Sequence, residues 1–283
     1  MKVFAAAVAL LLCSCATVSD VVPAGGDRFR YLGHRVNDIA AMWAGVNRGK
    51  RSVCLDLQHP DGLGVMRELI AGADVLDRDA LGLLAVSQAG VEERDDRVLD
   101  IGATSDRGYD HSNYFEAWYP YKANIVAAGI SDAAFLEHEH PGLKFVQADG
   151  RSLPFADGSF DWVHSSAVLE HVGNAARQTD FVREMWRVSR KGIFLTTPDI
   201  RFPVEFHTVL PLIHWLPPAL FRRALSKVGK GFYAREENLN LLSRGRLSRI
   251  AVAAGIVGAR VTSAKLVGWP ANLLLIAGRD RHG

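Results

Sequence analysis

Cysteine runs out early in this chain. Its thiols are Cys13, Cys15 and Cys54, so everything after residue 54 has no disulfide, no thiolate metal site and no cysteine nucleophile. Charge of one sign is also missing. Lys and Arg number 33 against 31 Asp and Glu, a formal net of +2, which singles out no partner class. The balance hides an asymmetry: after residue 200 there are 13 basic and 4 acidic residues, net +9, while the first 200 hold 20 and 27, net −7. That basic third suits an acidic substrate or an anionic surface, with a solvated basic face as the plain alternative. No repeat or low-complexity segment is apparent. What remains is 283 residues, 48% hydrophobic, enough for a full core in one large domain or one domain with an appendage.

The first twenty residues, MKVFAAAVALLLCSCATVSD, have one Lys, an apolar run and small residues, the pattern of a signal peptide. LCSC resembles a lipoprotein cleavage site at Cys15, and the run is too short to span a bilayer comfortably. Against export stands the cytosolic cofactor argued below, so the expected location is cytoplasmic, with residues 1–22 an apolar segment that is a signal or a truncated start. Residues 23–76 form an island. A strand-like SVCLDL meets a helix with Val65, Leu69 and Ile70 on one face, then a second strand, ADVL. The run NRGKRSVCLDLQHPDGLGVMRELIAGADVL resembles the N-terminal part of type III acyl-CoA transferases. The resemblance stops at Leu76, upstream of that family's catalytic aspartate, and Asp56 and Asp74 are not that nucleophile. It implies a fusion remnant or a recruited appendage, with CoA binding by residues 23–76 as the rival it would bring.

Residues 77–96 read as a short helix and polar linker, and from Arg97 strands alternate with helices. RVLDI (97–101), NIVAAGI (124–130), LKFVQ (143–147), FDWVHSS (160–166) and KGIFLTT (191–197) read as buried strands. SDAAFLEHE, ARQTDFVREMWRVSR and GRLSRIAVAAG read as helices, with ARVTSAKLV and NLLLIAG as a closing strand pair. The alternation predicts an α/β fold over 97–283, a doubly wound, Rossmann-like sheet.

The first loop of that sheet, RVLDIGATSDRGYD, has Gly102 and then no glycine until Gly108, where a dinucleotide fingerprint would place its second and third at set spacings. A pyrophosphate must touch backbone N–H groups closely, so an NAD-dependent oxidoreductase is disfavoured. Downstream, VQADGRSLPFADGSFDWVHSSAVLEHV places Asp149 after the third strand, then LPF, then Asp161 at the fourth strand, then LEHV. Together these motifs, over about residues 94–278, resemble class I S-adenosylmethionine (SAM)-dependent methyltransferases. SAM has no phosphate, so its loop need only turn sharply and supply polar groups. Gly102 would make the turn, Asp100 would balance the ammonium or sulfonium, and Thr104 or Ser105 would bond the carboxylate. The resemblance implies that Asp149, with Gly150 beside it, faces the adenine amine, and that Ser165 and Ser166 face cofactor and substrate. The family's ribose-binding acid falls here on Gly129 or Ile130; Asp132 and Asp106 are the nearby substitutes. Losing a bidentate ribose contact costs about 1–3 kcal/mol, which motivates a second reading, a catalytically inactive binding protein of the methyltransferase fold.

A sulfonium is already a good leaving group, so the protein's task is alignment and exclusion of water. A hydroxyl or amine acceptor also needs a base, and histidine is the usual choice near neutral pH. His171, after the fourth strand, and His207, in the insertion 201–240, are the catalytic candidates; His214 lies in the same insertion. The alternatives are a loop hydrogen bond for His171, a capping role for Glu170 and a core role for His164. The insertion joins Leu210, Ile213, Trp215, Leu216, Leu220 and Phe221 to Arg222, Arg223, Lys227 and Lys230. That combination suits a lid for a small-molecule or lipid-linked acceptor, or peripheral contact of 206–230 with anionic membrane; an ordinary lid helix is the alternative. The basic third carries no recognition module, so nucleic acid is not expected as a partner.

Overall fold

The computed structural model describes residues 95–279, except 108–111, 120 and 267–268, together with four short strands between residues 19 and 54. The chain divides into two compact units, residues 1–72 and 73–283. In the first, β1 (Ser19–Val22) pairs in parallel with β4 (Arg51–Cys54), and β2 (Arg35–Val36) pairs antiparallel with β3 (Ile39–Ala40). The strand expected over SVCLDL therefore exists over its first half. The helix expected around residues 65–70, the strand ADVL, the helix within 77–96 and Cys13 and Cys15 lie outside the described residues.

The second unit is built on β5 (Val98–Ile101), β6 (Ile125–Gly129), β7 (Lys144–Gln147), β8 (Phe160–Ser166), β9 (Ser189–Pro198), β10 (Arg260–Leu266) and β11 (Trp269–Gly278). They form one sheet in the order β10-β11-β9-β8-β5-β6-β7. The five strands from β5 to β9 run parallel, and β11 and β10 are each antiparallel to the neighbour before them. After β5 the chain moves outward to β6 and β7, then returns to β8 on the other side. The β5/β8 boundary is thus a topological switch point, whose carboxyl edge is where open α/β sheets hold ligands.

Successive residues of each strand face opposite sides, and both sides are covered. On one side Leu99, Ile101, Val163, Ile193 and Leu195 pack against Phe181 and Met185 of α3 (Ala175–Val188) and Leu247 and Ile250 of α5 (Arg244–Ala253). On the other, Val98, Ala127, Trp162 and Phe194 meet Phe115 of α1 (Tyr114–Trp118) and Leu136 of α2 (Phe135–Glu139). Each fully buried Leu or Phe contributes about 2 kcal/mol by leaving water. The helix expected from residue 131 starts only at Phe135, because Asp132 Oδ1 accepts the Ala134 N–H in an Asx turn at 3.0 Å. Helix α3 starts where Asn174 accepts the Arg177 N–H, and α5 likewise at Ser243. Helix α4 (Pro218–Lys227) opens on proline at its first position, where the missing N–H is no loss.

The LPF motif acquires a physical role here. Glu184 and Arg187, one turn apart on α3, grip the loop 153–157: Glu184 accepts the Leu153 N–H at 2.8 Å, and Arg187 donates to Leu153 O, Phe155 O and Asp157. The two side chains also pair with each other at 2.7 Å. The clamp fixes the connection between β7 and β8 and with it the edge on which Asp149 lies.

Candidate functional site

The loop after β5 explains how it manages with one glycine. Gly102 has φ +126°, a conformation L side chains rarely adopt, and a Cβ there would lie 2.3 Å from Val168 Cγ2. Its N–H and that of Ala103 both donate to Ala128 O, at 2.8 and 3.1 Å. The Thr104 N–H donates to Asn113 Oδ1 at 2.9 Å. These successive amides are engaged within the protein, so the loop presents no N–H nest for a pyrophosphate. Gly129 completes the fit, since a Cβ there would sit 2.0 Å from Ala103 O. Of the two positions where the resemblance places a ribose acid, Gly129 is closed to any side chain by this packing, and Ile130 is exposed.

Asp100 faces inward. Its Oδ1 meets His164 Nδ1, and His164 Nε2 meets the Tyr114 hydroxyl at 3.2 Å. The imidazole stacks on Phe115, ring centres 4.4 Å apart, and leans on Phe194. Burial raises the Asp100 pKa to about 7 despite a hydrogen bond from Glu116, and raises Glu116 well above the carboxylate range, helped by the charge of Asp100. The same burial lowers His164 to about 3. This is a desolvated group of neutral or shared-proton character, and the expectation that Asp100 offers its charge to a cofactor ammonium meets a carboxylate already engaged with His164. Glu116 and Tyr114 were not legible in an aromatic stretch with no helical period.

The other sequence-derived cofactor residues line the same edge with their polar atoms engaged locally. Asp149 accepts from the Arg151 backbone and guanidinium, and these hydrogen bonds hold its pKa below the usual carboxylate value; its side chain is 36% exposed. Gly150 is needed for packing, because a Cβ would lie 2.4 Å from the Phe181 ring. Ser165 donates to Ile101 O at 2.8 Å, Ser166 pairs with Thr196 Oγ1, and Thr104 Oγ1 accepts the Asp106 N–H. Asp132 makes the Asx turn at the exposed end of β6.

The two catalytic candidates, 36 residues apart, come together. His171 ends a 3-10 turn, Leu169–His171, just past the carboxyl end of β8, and His207 enters from the insertion after β9. Their Nε2 atoms lie 2.9 Å apart, with rings perpendicular. Each ring is oriented from its far side. His171 Nδ1 lies 2.6 Å from Asn238 O and His207 Nδ1 2.7 Å from Glu205 Oε1; a carbonyl and a carboxylate only accept, so both Nδ1 atoms donate. Glu205 also accepts the N–H groups of His207 and Thr208. Burial would raise its pKa, but these hydrogen bonds outweigh it and bring it down to about 2. Fully buried Glu170 receives Thr197 Oγ1 on Oε2, while its Oε1 has no hydrogen-bond partner. Behind the turn, buried Gln178 donates to Leu169 O and Asn240 O, and the Asn240 N–H donates to Glu170 O. Glu205, Asn240 and Gln178 are positioning residues that no spacing in the sequence marked. Ala167 at φ 55° and Val209 at φ 58° flank the pair with backbone strain of a kind that gathers at functional sites. His214, by contrast, is buried and donates to Ile200 O and Phe202 O beneath the insertion.

A mostly parallel, doubly wound sheet with polar groups converging at its switch-point edge is the architecture of a Rossmann-like α/β domain. Residues 99–196 match the family described as Methyltransferase domain, and residues 8–79 match CoA-transferase family III. The C-terminal unit thus has a Rossmann-like α/β topology and over residues 99–196 is similar to methyltransferase domains, while residues 8–79, which include part of the apolar run, are similar to CoA-transferases. Among curated relatives, an uncharacterized methyltransferase of Mycolicibacterium vanbaalenii is 52% identical over 107 residues, 38% of each chain. A demethylmenaquinone methyltransferase of Corynebacterium efficiens is 30% identical over 135 residues, 48% of this chain and 53% of that one. The chain thus spans only about two-fifths to a half of the length of these two relatives. A SAM-dependent methyltransferase from Aquifex aeolicus aligns with TM-score 0.45 at 14% identity, covering 76% of this chain and 97% of that one.

Proposed function

We propose that the C-terminal unit transfers a methyl group from SAM to a small-molecule or lipid-linked acceptor. The observation that carries this reading is the family match over 99–196, coincident with the switch point and a first loop whose amides are engaged internally. Such a loop suits a ligand without phosphate. When bound, SAM supplies an electrophilic methyl on a sulfonium. The turn at Gly102 and the close approach of Ala103 to Gly129 shape the edge for it; Asp149, Asp132 beyond β6 and Asp106 in the first loop are carboxylates exposed enough to reach it. Asp100 acts through His164, as a positioning residue beneath that edge. The His171–His207 pair stands on the acceptor side, where it orients the acceptor and takes its proton. Calorimetric titration with SAM and S-adenosylhomocysteine tests the reading. Micromolar binding of both, weakened at least tenfold by Asp149→Ala, is expected; binding of neither favours the inactive binding protein.

The exposed lid favours the lipid-linked class within that reading. Phe206, Leu212, Trp215, Leu216, Leu220, Val228 and Phe232 are each more than 40% exposed, with Arg223 and Lys227 beside them. Apolar side chains next to cations suit an anionic lipid surface, and the relative named for demethylmenaquinone points to an apolar acceptor as well. Among the described residues no helix is long and apolar enough to cross a membrane, so the contact would be peripheral. Flotation with anionic vesicles at low salt is expected to carry the protein upward, and Trp215→Ala with Phe232→Ala to leave it at the bottom; failure of the unaltered chain to float rejects the contact.

A further inference from the structure

The histidine pair presents an arrangement that methyl transfer alone does not require. Both Nδ1 atoms donate to fixed acceptors, so each neutral ring turns a lone pair, not a proton, to its Nε2. Two such nitrogens 2.9 Å apart repel unless something positive lies between them. Beside them is Glu170 Oε1, from a carboxylate with no exposed surface and no hydrogen bond on that oxygen. It lies 3.9 Å from His171 Nε2 and 3.8 Å from His207 Nε2. A buried carboxylate oxygen without a partner is costly, and a cation removes that cost.

From these contacts we infer that Glu170, His171 and His207 hold a divalent transition-metal ion. A triangle with sides of 2.9, 3.8 and 3.9 Å has its centre about 2.1 Å from each corner, the length of a zinc–nitrogen or zinc–oxygen bond. Two imidazoles and one carboxylate suit zinc and its first-row neighbours over calcium or magnesium, whose ligands are all oxygen. The supporting shell is that of a metal site: a carboxylate, Glu205, on the far nitrogen of one histidine and a backbone carbonyl on that of the other. Three protein ligands leave a position for water or an acceptor oxygen, as in catalytic zinc centres. His171 is one-third exposed, which gives the ion an entry path. The inference concerns the pair used in the functional reading: an ion on both Nε2 atoms takes up the lone pairs a base would use, so proton transfer by the imidazoles belongs to the ion-free pair, and metal binding itself needs neither SAM nor acceptor.

The test is titration of the chelator-stripped full chain with Co2+, read by its visible absorption, then displacement by Zn2+, with metal content measured by mass spectrometry. Wild type is expected to bind one more ion per chain than His171→Ala/His207→Ala, with Co2+ bands of a low-symmetry site that this variant lacks. Comparison with the variant cancels any ion held by Cys13, Cys15 and Cys54. Equal stoichiometry and affinity in the two chains, or no uptake by wild type, overturns the inference and leaves a proton shared between the imidazoles. Should the double variant not fold, Glu205→Gln decides: about ten- to hundredfold weaker binding supports the site, and unchanged affinity overturns it. SAM titration of the same samples separates the two ideas, because loss of either binding leaves the other intact.

Discussion

Two clusters in this protein pair imidazole with carboxylate, and they have opposite characters. Asp100, Glu116 and His164 lie between the sheet and α1, with the imidazole stacked on Phe115. Glu170, His171, His207 and Glu205 lie past the carboxyl ends of β8 and β9, where the histidines keep one-third and about one-fifth of their side-chain surface. Burial has driven the first toward neutrality. In the second, the His207 imidazole and two backbone N–H groups hold Glu205 ionised, and each histidine is fixed from behind so that its other nitrogen faces its neighbour. The same residue types therefore make a packing element in one place and, in the function proposed above, a reactive centre in the other; the difference lies in what faces the Nε2 atoms, the Tyr114 hydroxyl or a second imidazole, and in how much water arrives.

That contrast is open to attack by substitution. The largest effect is expected at His164→Ala, which empties a site between Phe115 and Phe194 and strands two buried carboxyls; about 3–5 kcal/mol of stability should be lost in urea unfolding. His171→Ala should leave the unfolding midpoint within about 0.5 kcal/mol of wild type while lowering methyl transfer about a hundredfold. If the two variants exchange phenotypes, the assignment of roles is wrong. The buried cluster should also show in the pH dependence of stability. Asp100 titrates at about 7 in the folded chain, against 3.8 ordinarily. Between those values folded Asp100 keeps a proton that the unfolded chain has released, so its contribution makes stability fall as pH rises; Glu116 acts in the same direction, and His164, kept neutral by burial, in the opposite one. Asp100→Asn should flatten the slope between about pH 5 and 7, and an unchanged slope would place the titration elsewhere. The smallest effect is expected at Ala167→Gly, where relief of positive φ should add about 0.5–1 kcal/mol.

Much of the scaffold could be read directly from the residues. Buried strands such as FDWVHSS announce themselves as apolar β-branched and aromatic runs, and the structure has that strand over Phe160–Ser166. Helix α1 was missed because NYFEAWY is aromatic throughout and offers no amphipathic period; it forms because both faces of the sheet must be covered. At the site, the spacing of LEHV and of the insertion marked His171 and His207 as separate candidates. Their contact was not legible, since it depends on the path of the insertion over the edge and on Asn238, whose carbonyl orients His171. Asp100 shows the converse: a motif position reveals where a residue lies along the strand, but the facing of its carboxylate is set by His164, 64 residues on.

The central claim is that the edge at β5 and β8 holds a nucleoside ligand without a phosphate. Native mass spectrometry of the full chain in an equimolar mixture of SAM and NAD tests it directly. The account predicts an adduct of one SAM per chain and none of NAD; an NAD adduct, or no adduct with SAM at saturating concentration, would contradict it.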